Sequence, residues 1–408
     1  MKHRKHPPVR QTTLELVLFT VNLRAAITGL PPVLVSVTRD AHLSGAAASV
    51  LAALPVLCLG LFAGMTPLLA RRAGTSRTVA AALVLIGTGC FVRILPGAVA
   101  LFAGTVLAGA GIAVGNVLVP AVVKQRFPAR QGAFMGVAML VMALSGALAA
   151  ALAVPLSESS GWRGALAVWS APALLGAVVW ATGGRTADEG APVSATRRSN
   201  AGEVLRRSGT AWSVVAFLGL VCLIFYTTVA WLPQIMQARG YTPASAGAMI
   251  SLLLALGIPL GMAVPVAAAR MRSQRPLVLA VLAAHVTGLG GILLLPEAGW
   301  LWVCVLGIAT GSGFPLAVTL LTLRSPDPET TARLSGMANT GGYLLAAAGP
   351  LAVGLLHTAT GSWALPLLVL LAVAVPETCA GLIAARPVSI GVPEKKKEEV
   401  VRQLDTVG

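Results

Sequence analysis

Long apolar runs dominate the chain, and short polar segments separate them. A membrane-crossing helix needs about 20 mostly apolar residues, and the sequence offers twelve runs of this kind. They predict twelve membrane-spanning helices, numbered here as spans 1 to 12. The predicted bounds are Leu14–Val37, Gly45–Ala70, Thr78–Leu95, Ala98–Val122, Gly132–Leu156, Gly164–Gly183, Ala211–Met236, Ala244–Ala269, Leu277–Leu295, Trp300–Leu323, Leu334–Leu356 and Ser362–Ala385.

Positive charges alternate from one connecting segment to the next. The two terminal segments and the loops after even-numbered spans hold 25 of the 30 Lys and Arg residues. The membrane side that carries the loops after odd-numbered spans holds four, counting Arg93 at the end of span 3, and Arg24 lies inside span 1. Cytoplasmic segments of membrane proteins are enriched in Lys and Arg. The alternation therefore supports an even number of spans. It predicts that the protein lies in the cytoplasmic membrane with both termini in the cytoplasm.

The two halves of the sequence resemble each other at an offset of 198 residues. Arg77 matches Arg275, and Arg126 matches Arg324. Six spans plus six, both sets starting on the same side, form a parallel repeat as in major facilitator transporters. We therefore predict an all-α membrane fold of two six-helix bundles. Its parts are a first bundle at 1–183, a cytoplasmic linker at 184–210, a second bundle at 211–386 and a cytoplasmic tail at 387–408.

Pairs of glycines four residues apart recur in both halves. Such pairs let helices approach closely, so they fit either static packing or a moving interface between the bundles. The pairs are Gly60/Gly64, Gly111/Gly115, Gly257/Gly261 and Gly307/Gly311.

Composition narrows the class of protein. Hydrophobic residues make up 56% of the chain and charged residues 11%, against about 25% charged in soluble domains. The mean hydropathy is +0.83. A net charge of +16 could indicate nucleic-acid binding, but the basic residues sit in the loops of one membrane side, so we expect no nucleic-acid partner. The partners expected instead are a small solute and the lipid bilayer.

Sequence motifs of other classes are missing. The chain has no HExxH, GxSxG or Walker A motif, so we expect neither an enzyme nor an ATP-driven pump. Its five cysteines lie in apolar runs without metal spacing, which predicts free packing thiols. We expect no cofactor and no metal.

Arg24 is the strongest candidate for a solute-binding residue. It lies about ten residues, roughly 15 Å, into span 1, close to the middle of the membrane. An arginine at that depth nearly always faces a cavity or a partner group. It predicts an anion-binding group or a charge-compensating switch, while a structural tie between helices is the alternative.

Other polar and aromatic residues lie at useful depths along the spans. Tyr and Trp combine an apolar face with one hydrogen-bond donor, which suits a flat solute. Helix packing is the alternative role for each of them. These candidates are Asn22, Thr28, Asn116, Tyr226, Trp231, Gln234, Asn339 and Tyr343.

Few titratable groups within the spans could carry a coupling proton. Glu377 in span 12 is the best placed, although a local structural role is favoured for it, and Glu15 lies near the start of span 1. His285 in span 9 is a weaker candidate, because a lone histidine is more often a packing residue. Arg93, at the end of span 3, is expected to extend its side chain toward the membrane surface, with a role in the cavity as the alternative.

Four segments carry a resemblance to a known family. Asn22-Leu23-Arg24 with Thr28 and Leu30–Pro32, and the stretches 54–74, 229–240 and 334–363, resemble the cyanate permease and nitroimidazole transporter family of the major facilitator superfamily. The resemblance implies that span 1 lines the cavity and that the protein is a monomer. Two departures concern Arg71, where the superfamily usually has an acidic residue, and Asn339-Thr340, where the family often has Gln-Ser.

Two transport hypotheses follow, and one from another class. The first is a secondary transporter of a small anion such as cyanate, which would need Arg24. The second is an exporter of neutral heteroaromatic drugs such as nitroimidazoles, which would depend on Tyr226, Trp231 and Tyr343. A membrane-embedded enzyme or a receptor is disfavoured by the missing motifs and by the repeat. Substrate, direction and coupling ion stay open.

Overall fold

Helices make up the whole membrane region of this computed structural model, which describes residues 9–183, 205, 207–326 and 328–388. Eleven helical stretches within these residues are long and apolar enough to cross a membrane, and one of them, Gln131–Thr182, is 52 residues long. It turns at Gly161, whose φ of 72° suits glycine. The predicted linker lies mostly outside the described residues, as does nearly all of the predicted tail.

The contacts of spans 1 and 6 show that the long stretch crosses twice. Just after the turn, Trp162 and Arg163 contact Asp40 at the end of span 1. Farther along, the Trp180 indole donates to the carbonyl of Glu15 near the start of span 1, at 2.8 Å. The chain therefore crosses twelve times, as the apolar pattern predicts.

The observed helices follow the predicted spans closely. Short 3-10 turns at Pro128–Arg130 and Pro296–Ala298 precede spans 5 and 10. In order of the spans, the helices are Val9–Thr20, Asn22–Thr28 and Leu34–Asp40 (span 1); Gly45–Ala63 and Thr66–Ala73 (span 2); Thr75–Val92; Ala98–Arg126; Gln131–Ala167 and Ser170–Gly183 (spans 5 and 6, divided at Gly161); Gly209–Ala238; Pro243–Arg270; Arg275–Leu294; Gly299–Arg324; Pro328–Thr360; and Ala364–Ala384.

Span 1 is interrupted just beyond Arg24. Pro31 and Pro32 have no backbone N–H, and they begin a 3-10 turn, Pro31–Val33. The N–H of Leu30 donates to the carbonyl of Ile27 at 3.4 Å, three residues back instead of four. This shift leaves the carbonyl of Ala26 to find a donor elsewhere.

Span 3 is shifted along the chain relative to its prediction. It begins at Thr75 instead of Thr78 and ends at Val92 instead of Leu95. Gly74, with φ of 85°, makes the sharp turn that starts the helix early. Span 2 is divided, because its helix ends at Ala63 and a short second helix begins at Thr66.

One arginine in each half ties helix ends together at the face where span 1 begins and span 12 ends, called here the terminal face. Arg126 forms an ion pair with Glu15 at 2.8 Å and also donates to Ser76. Arg324 donates to Gln274 and to the carbonyl of Ala384. Arg126 and Arg324 are 198 residues apart, as are Ser76 and Gln274. The sequence repeat is thus a structural repeat.

The two bundles contact each other along spans 2 and 11 and along spans 5 and 8. A Cβ built on Gly60 would lie 2.9 Å from Leu344 of span 11, and one on Gly247 would lie 3.2 Å from the Ala150 carbonyl of span 5. Closer to the terminal face, Gly136 and Gly261 have no such neighbour within 4 Å. The bundles are thus in contact from the depth of Arg24 to the face opposite the terminal face, called here the opposite face. Toward the terminal face, neither Gly136 nor Gly261 contacts the other bundle.

The glycine pairs divide according to these contacts. Gly60 contacts Leu344 of the other bundle, so it belongs to the interface between the two bundles. Gly257 and Gly311 contact each other inside the C-terminal bundle, and Gly111 contacts span 3 inside the N-terminal bundle. Those pairs pack helices within one bundle.

Candidate functional site

Arg24 lies on the short helix Asn22–Thr28, between the two bundles. Its guanidinium carbon is 5.8 Å from the ring centre of Phe225 in span 7, close enough for a cation–π contact. The side chain is half-buried, and none of the ion pairs in the described part of the chain includes it. Its charge therefore has no carboxylate partner there, which suits it to an anionic ligand.

Aromatic side chains of the C-terminal bundle face Arg24. The rings of Phe225 and Tyr226 lie 5.0 Å apart, edge to face, and those of Tyr226 and Tyr343 lie 6.1 Å apart. These four residues form what we call the central cluster. Phe225 was absent from the sequence candidates, because an apolar residue in an apolar helix gives no signal of its own.

Three side chains hold the segment that carries Arg24. The Asn22 amide donates to the carbonyls of Leu18 and Pro172, at 2.7 and 3.3 Å. The Thr28 hydroxyl lies 2.9 Å from the carbonyl of Gly146 in span 5. Both side chains are buried. They tie span 1 to spans 6 and 5 and so fix the depth and direction of Arg24.

Arg93 is the third of these side chains. The prediction that it extends toward the membrane surface is wrong. It is 1% exposed, and its Nη1 donates to the carbonyl of Ala26 at 2.9 Å. This is the carbonyl that the proline break in span 1 releases. A buried carbonyl without a donor is costly, so Arg93 turns inward to the break instead of outward to the membrane surface.

Asn116 and Asn339 lie in spans 4 and 11, one in each bundle, and both are half-buried. The neighbour of Asn116, Gly115, packs against Leu23 of span 1, which places that part of span 4 beside the Arg24 segment.

Trp231 and Gln234 lie nearer the opposite face than the central cluster does. Gln234 donates from Nε2 to the carbonyl of Pro31 at 2.8 Å, which links span 7 to the break in span 1. Trp231 donates to the carbonyl of Pro350 in span 11, also at 2.8 Å. Gln234 therefore joins the two bundles on this side of the central cluster, while Trp231 joins two helices of the C-terminal bundle.

An apolar constriction lies between these contacts and the central cluster. The space there is only about 20 Å³, and Leu30, Val56, Tyr226 and Val229 are among the residues that line it. A volume of that size holds about one water molecule. This constriction therefore separates the central cluster from the opposite face in the described conformation.

The three candidates for proton coupling separate into two places. The Glu15 carboxylate is engaged by Arg126, which also lies over the Trp180 ring at 5.0 Å. Glu377 and His285 contact each other, with 3.2 Å between Oε2 and Nδ1, and are 2% and 0% exposed. This buried pair joins spans 12 and 9 inside the C-terminal bundle.

No group of three or more His, Cys, Asp or Glu side chains that could hold a metal ion occurs among the residues that the structure describes. The five cysteines are free thiols, as their positions in apolar runs predict.

Comparisons with known proteins agree on the kind of protein. The model of the Major Facilitator Superfamily matches residues 16–350. The chain is 36% identical over 390 residues to an uncharacterized transporter, YycB, of Bacillus subtilis, covering 94% of this chain and 95% of that protein. It is 34% identical over 373 residues to the 2-nitroimidazole transporter of Escherichia coli, covering 91% and 94%. Identity to the cyanate transport protein CynX of Escherichia coli is 29% over 353 residues, covering 86% and 91%.

Solved structures share the fold at low sequence identity. A bacterial homolog of the human lysosomal transporter Spinster, in an inward-facing and unoccupied conformation, matches with a TM-score of 0.75 and 15% identity, over 92% of this chain and 96% of that one. The nucleoside transporter NupG matches with a TM-score of 0.75 and 12% identity, over 91% and 99%. The twelve crossings, the structural repeat and the matched family model lead to one conclusion: this chain is a multi-pass membrane transporter that belongs to the major facilitator superfamily.

Proposed function

We propose that this protein is a secondary transporter of a small, flat anion across the cytoplasmic membrane, and that Arg24 is the anion-binding residue. The observation that carries the proposal is the position of Arg24, a guanidinium without a carboxylate partner in the described part of the chain, facing the other bundle.

The central cluster suits a flat anion for two physical reasons. A guanidinium donates two parallel hydrogen bonds to a planar anion. The rings of Phe225, Tyr226 and Tyr343 offer flat apolar surfaces beside it. Since this region of low dielectric strengthens electrostatic attraction, a single arginine suffices to hold a monovalent anion.

The names of the relatives support the same substrate class. Cyanate is a small linear anion, and 2-nitroimidazole is a flat ring whose N–H is made acidic by the nitro group. A shorter match, 41% identical over 96 residues, is to a putative anionic 4-hydroxy-benzoate permease of Thauera aromatica. Cyanate and 4-hydroxybenzoate carry delocalised negative charge, and 2-nitroimidazole does so once its N–H has lost its proton.

Export of a neutral heteroaromatic compound is the second candidate. The cluster of aromatic rings on the C-terminal bundle favours it, because stacking needs no charge. Under this alternative, Tyr226 and Tyr343 would carry most of the binding, and Arg24 would serve as an interhelical tie.

Alternating access would proceed by movement of the two bundles. Neither Gly136 nor Gly261 contacts the other bundle toward the terminal face, which the charge pattern assigns to the cytoplasm, so the described conformation would admit solute from that side. Opening the other side requires the contact between Gln234 and Pro31 to break. We propose a monomer as the working unit, because each chain supplies both sides of the central cluster.

Flux measurements in proteoliposomes test the substrate class. Radiolabelled cyanate and 2-nitroimidazole would be supplied to vesicles that contain wild-type protein or Arg24→Ala. We expect saturable cyanate flux that the substitution removes. Flux of either compound at the wild-type rate in a folded Arg24→Ala protein would refute Arg24 as the anion site and favour the neutral-solute alternative. No flux of either compound through folded wild-type protein would exclude both as substrates.

For the coupling ion, we propose a proton held by the Glu377–His285 pair. Glu15 is the weaker candidate because Arg126 already neutralises it. Glu377→Gln should abolish uptake driven by a pH gradient and leave solute exchange without a gradient intact. Loss of both activities at an unchanged melting temperature would contradict this assignment, as would retention of gradient-driven uptake.

A further inference from the structure

A second cavity lies at the opposite face, beyond the Gln234–Pro31 contact. It has a volume of about 420 Å³ and is lined by spans 1, 2, 7 and 11 and the start of span 12. We call it the outer vestibule. Because the apolar constriction separates it from Arg24, the vestibule and the central cluster are separate compartments in this conformation.

Two aromatic rings and a histidine form one wall of the outer vestibule. The rings of His357 and Trp363 stack at 3.8 Å with 9° between their planes, and Trp231 lies 5.7 Å from Trp363. Stacked flat surfaces of this kind favour a flat ring as ligand. The cavity is large enough for a solute of one or two rings, since ligand pockets begin at roughly 300 Å³.

Three polar atoms of the lining side chains lack hydrogen-bond partners among the described residues. They are Oε1 of Gln234, Nε2 of Gln237 and Nδ1 of His357. A buried polar atom without a partner is unfavourable, so a rotation of the side chain that brings the atom to a polar group of a ligand is favoured. The set comprises an amide acceptor, an amide donor and an imidazole nitrogen.

Charge distinguishes the vestibule from the central cluster. None of the residues that line the vestibule is Asp, Glu, Lys or Arg, whereas Arg24 dominates the central cluster. A neutral ligand with both donor and acceptor groups fits the vestibule, and an anion fits the central cluster.

We propose that the outer vestibule is a second solute-binding site, specific for neutral, flat heteroaromatic compounds that carry a hydrogen-bond donor and an acceptor. The site is independent of Arg24, and so it goes beyond the proposed function without resting on it. Ligand held there would stand between the bundles on the outer side of the Gln234–Pro31 contact.

Equilibrium binding with a matched pair of probes tests the proposal. Nicotinamide and nicotinate share one ring and differ in charge, so they separate the neutral site from a cationic one. Binding of tritiated nicotinamide would be measured on the full chain in lipid nanodiscs, for wild type, Gln237→Leu, Trp363→Leu and Arg24→Ala. Trp300→Leu serves as the control, because Trp300 is exposed at the start of span 10, outside the vestibule.

We expect saturable nicotinamide binding to wild-type protein, with nicotinate at least tenfold weaker at this site. Gln237→Leu and Trp363→Leu should each weaken nicotinamide binding by about tenfold, the effect of roughly 1.4 kcal/mol, while Trp300→Leu and Arg24→Ala leave it unchanged. Gln237→Leu adds no bulk, so it remains informative if Trp363→Leu fails to fold.

Three results would overturn the proposal. They are no nicotinamide binding to folded wild-type protein, binding that both vestibule substitutions leave unchanged, and binding that Arg24→Ala removes. Failure of anion transport would appear separately, as absent cyanate flux in vesicles, and would leave this binding result standing.

Discussion

The N-terminal bundle supplies one arginine to the central cluster, whereas the C-terminal bundle supplies three aromatic rings. Arg24 comes from span 1, Phe225 and Tyr226 from span 7, and Tyr343 from span 11. The two bundles nevertheless share one architecture, down to the equivalent arginines Arg126 and Arg324 at the terminal face. The repeat thus sets the scaffold, and the unlike residues at the centre set the chemistry of the site.

The terminal-face arginines also occupy equivalent positions in the two bundles but have unlike partners. Arg126 is paired with a buried carboxylate, Glu15, while Arg324 is held by Gln274 and by backbone carbonyls. The arginine at this position of the repeat therefore pairs with a carboxylate in one bundle and donates only to uncharged acceptors in the other. The two arrangements should respond differently to loss of the arginine.

The largest expected effect is the loss of anion uptake when the charge of Arg24 in the central cluster is removed. Arg24→Gln removes the charge and keeps a polar side chain, and it should lower anion uptake by about a hundredfold or more, as loss of a buried charge contact does. Arg24→Lys keeps the charge but loses the bidentate geometry. Its uptake should therefore lie between that of wild type and that of Arg24→Gln.

Arg39 provides the control for this substitution. It lies exposed near the end of span 1, so Arg39→Gln removes one positive charge from the same span and should leave uptake near wild type. Equal losses in Arg24→Gln and Arg39→Gln would mean that the overall charge of span 1 matters, and not the position of Arg24.

The next effect concerns stability at the terminal face. Arg126→Met leaves the Glu15 carboxylate buried without its cationic partner, which should destabilise the protein by about 3–5 kcal/mol. Arg324→Met removes the cation from neutral acceptors and should cost about 1–3 kcal/mol. Melting temperatures of the purified proteins in one detergent would measure the difference.

A double substitution checks the cause of that difference. Glu15→Gln in the Arg126→Met background removes the unpaired charge, so it should recover part of the lost melting temperature. If it recovers none, or if Arg324→Met is the more destabilising change, the ion pair is not what distinguishes the two bundles.

A smaller effect is expected at the interface between the bundles. A Cβ at Gly60 would lie 2.9 Å from Cγ of Leu344 and 3.0 Å from its backbone nitrogen, so Gly60→Ala must displace span 2 or span 11. We expect transport to slow several-fold, measured as initial uptake rate. Gly64→Ala is the matched control, since its nearest such neighbour, Oγ1 of Thr340, is 4.0 Å away. Equal rates in the two variants would argue against close packing at this interface.

The smallest expected effect on anion uptake is that of removing a single hydroxyl on the aromatic side of the central cluster. Tyr343→Phe keeps the ring and should change anion uptake by less than about threefold, while Tyr343→Leu removes the stacking surface and should lower it by about tenfold. Uptake assays in vesicles compare the two directly. A larger loss in Tyr343→Phe than in Tyr343→Leu would show that the hydroxyl, and not the ring, contacts the solute.

The sequence predicts the scaffold well and the site in part. The twelve crossings follow from apolar runs, and the offset of 198 residues correctly pairs Arg126 with Arg324. Arg24 stands out because an arginine deep in a span is costly wherever it lies. These signals are local in the chain or repeat along it, so a single sequence contains them.

What sequence could not provide is the rotation of one helix against another. Glu377 and His285 meet across spans 12 and 9, and no spacing between them predicts that contact. Arg93 turns inward because a proline break in span 1 frees a carbonyl. The break could be read from Pro31 and Pro32, but the identity of the donor could not. Trp231 and Gln234 lie nearer the opposite face than Arg24 does, a difference in depth that the sequence predicts only to within a few residues.

The most direct test of anion binding at Arg24 is chemical restoration of its charge. Arg24→Cys would be treated with methanethiosulfonates that attach an amine, a sulfonate or a neutral methyl group, and cyanate uptake would be measured, with wild-type protein treated in parallel to account for its five free cysteines. We predict that uptake is lost in Arg24→Cys, returns with the amine and stays absent with the sulfonate or the methyl group. Equal recovery with all three reagents, or undiminished uptake before treatment, would contradict an anion site at Arg24.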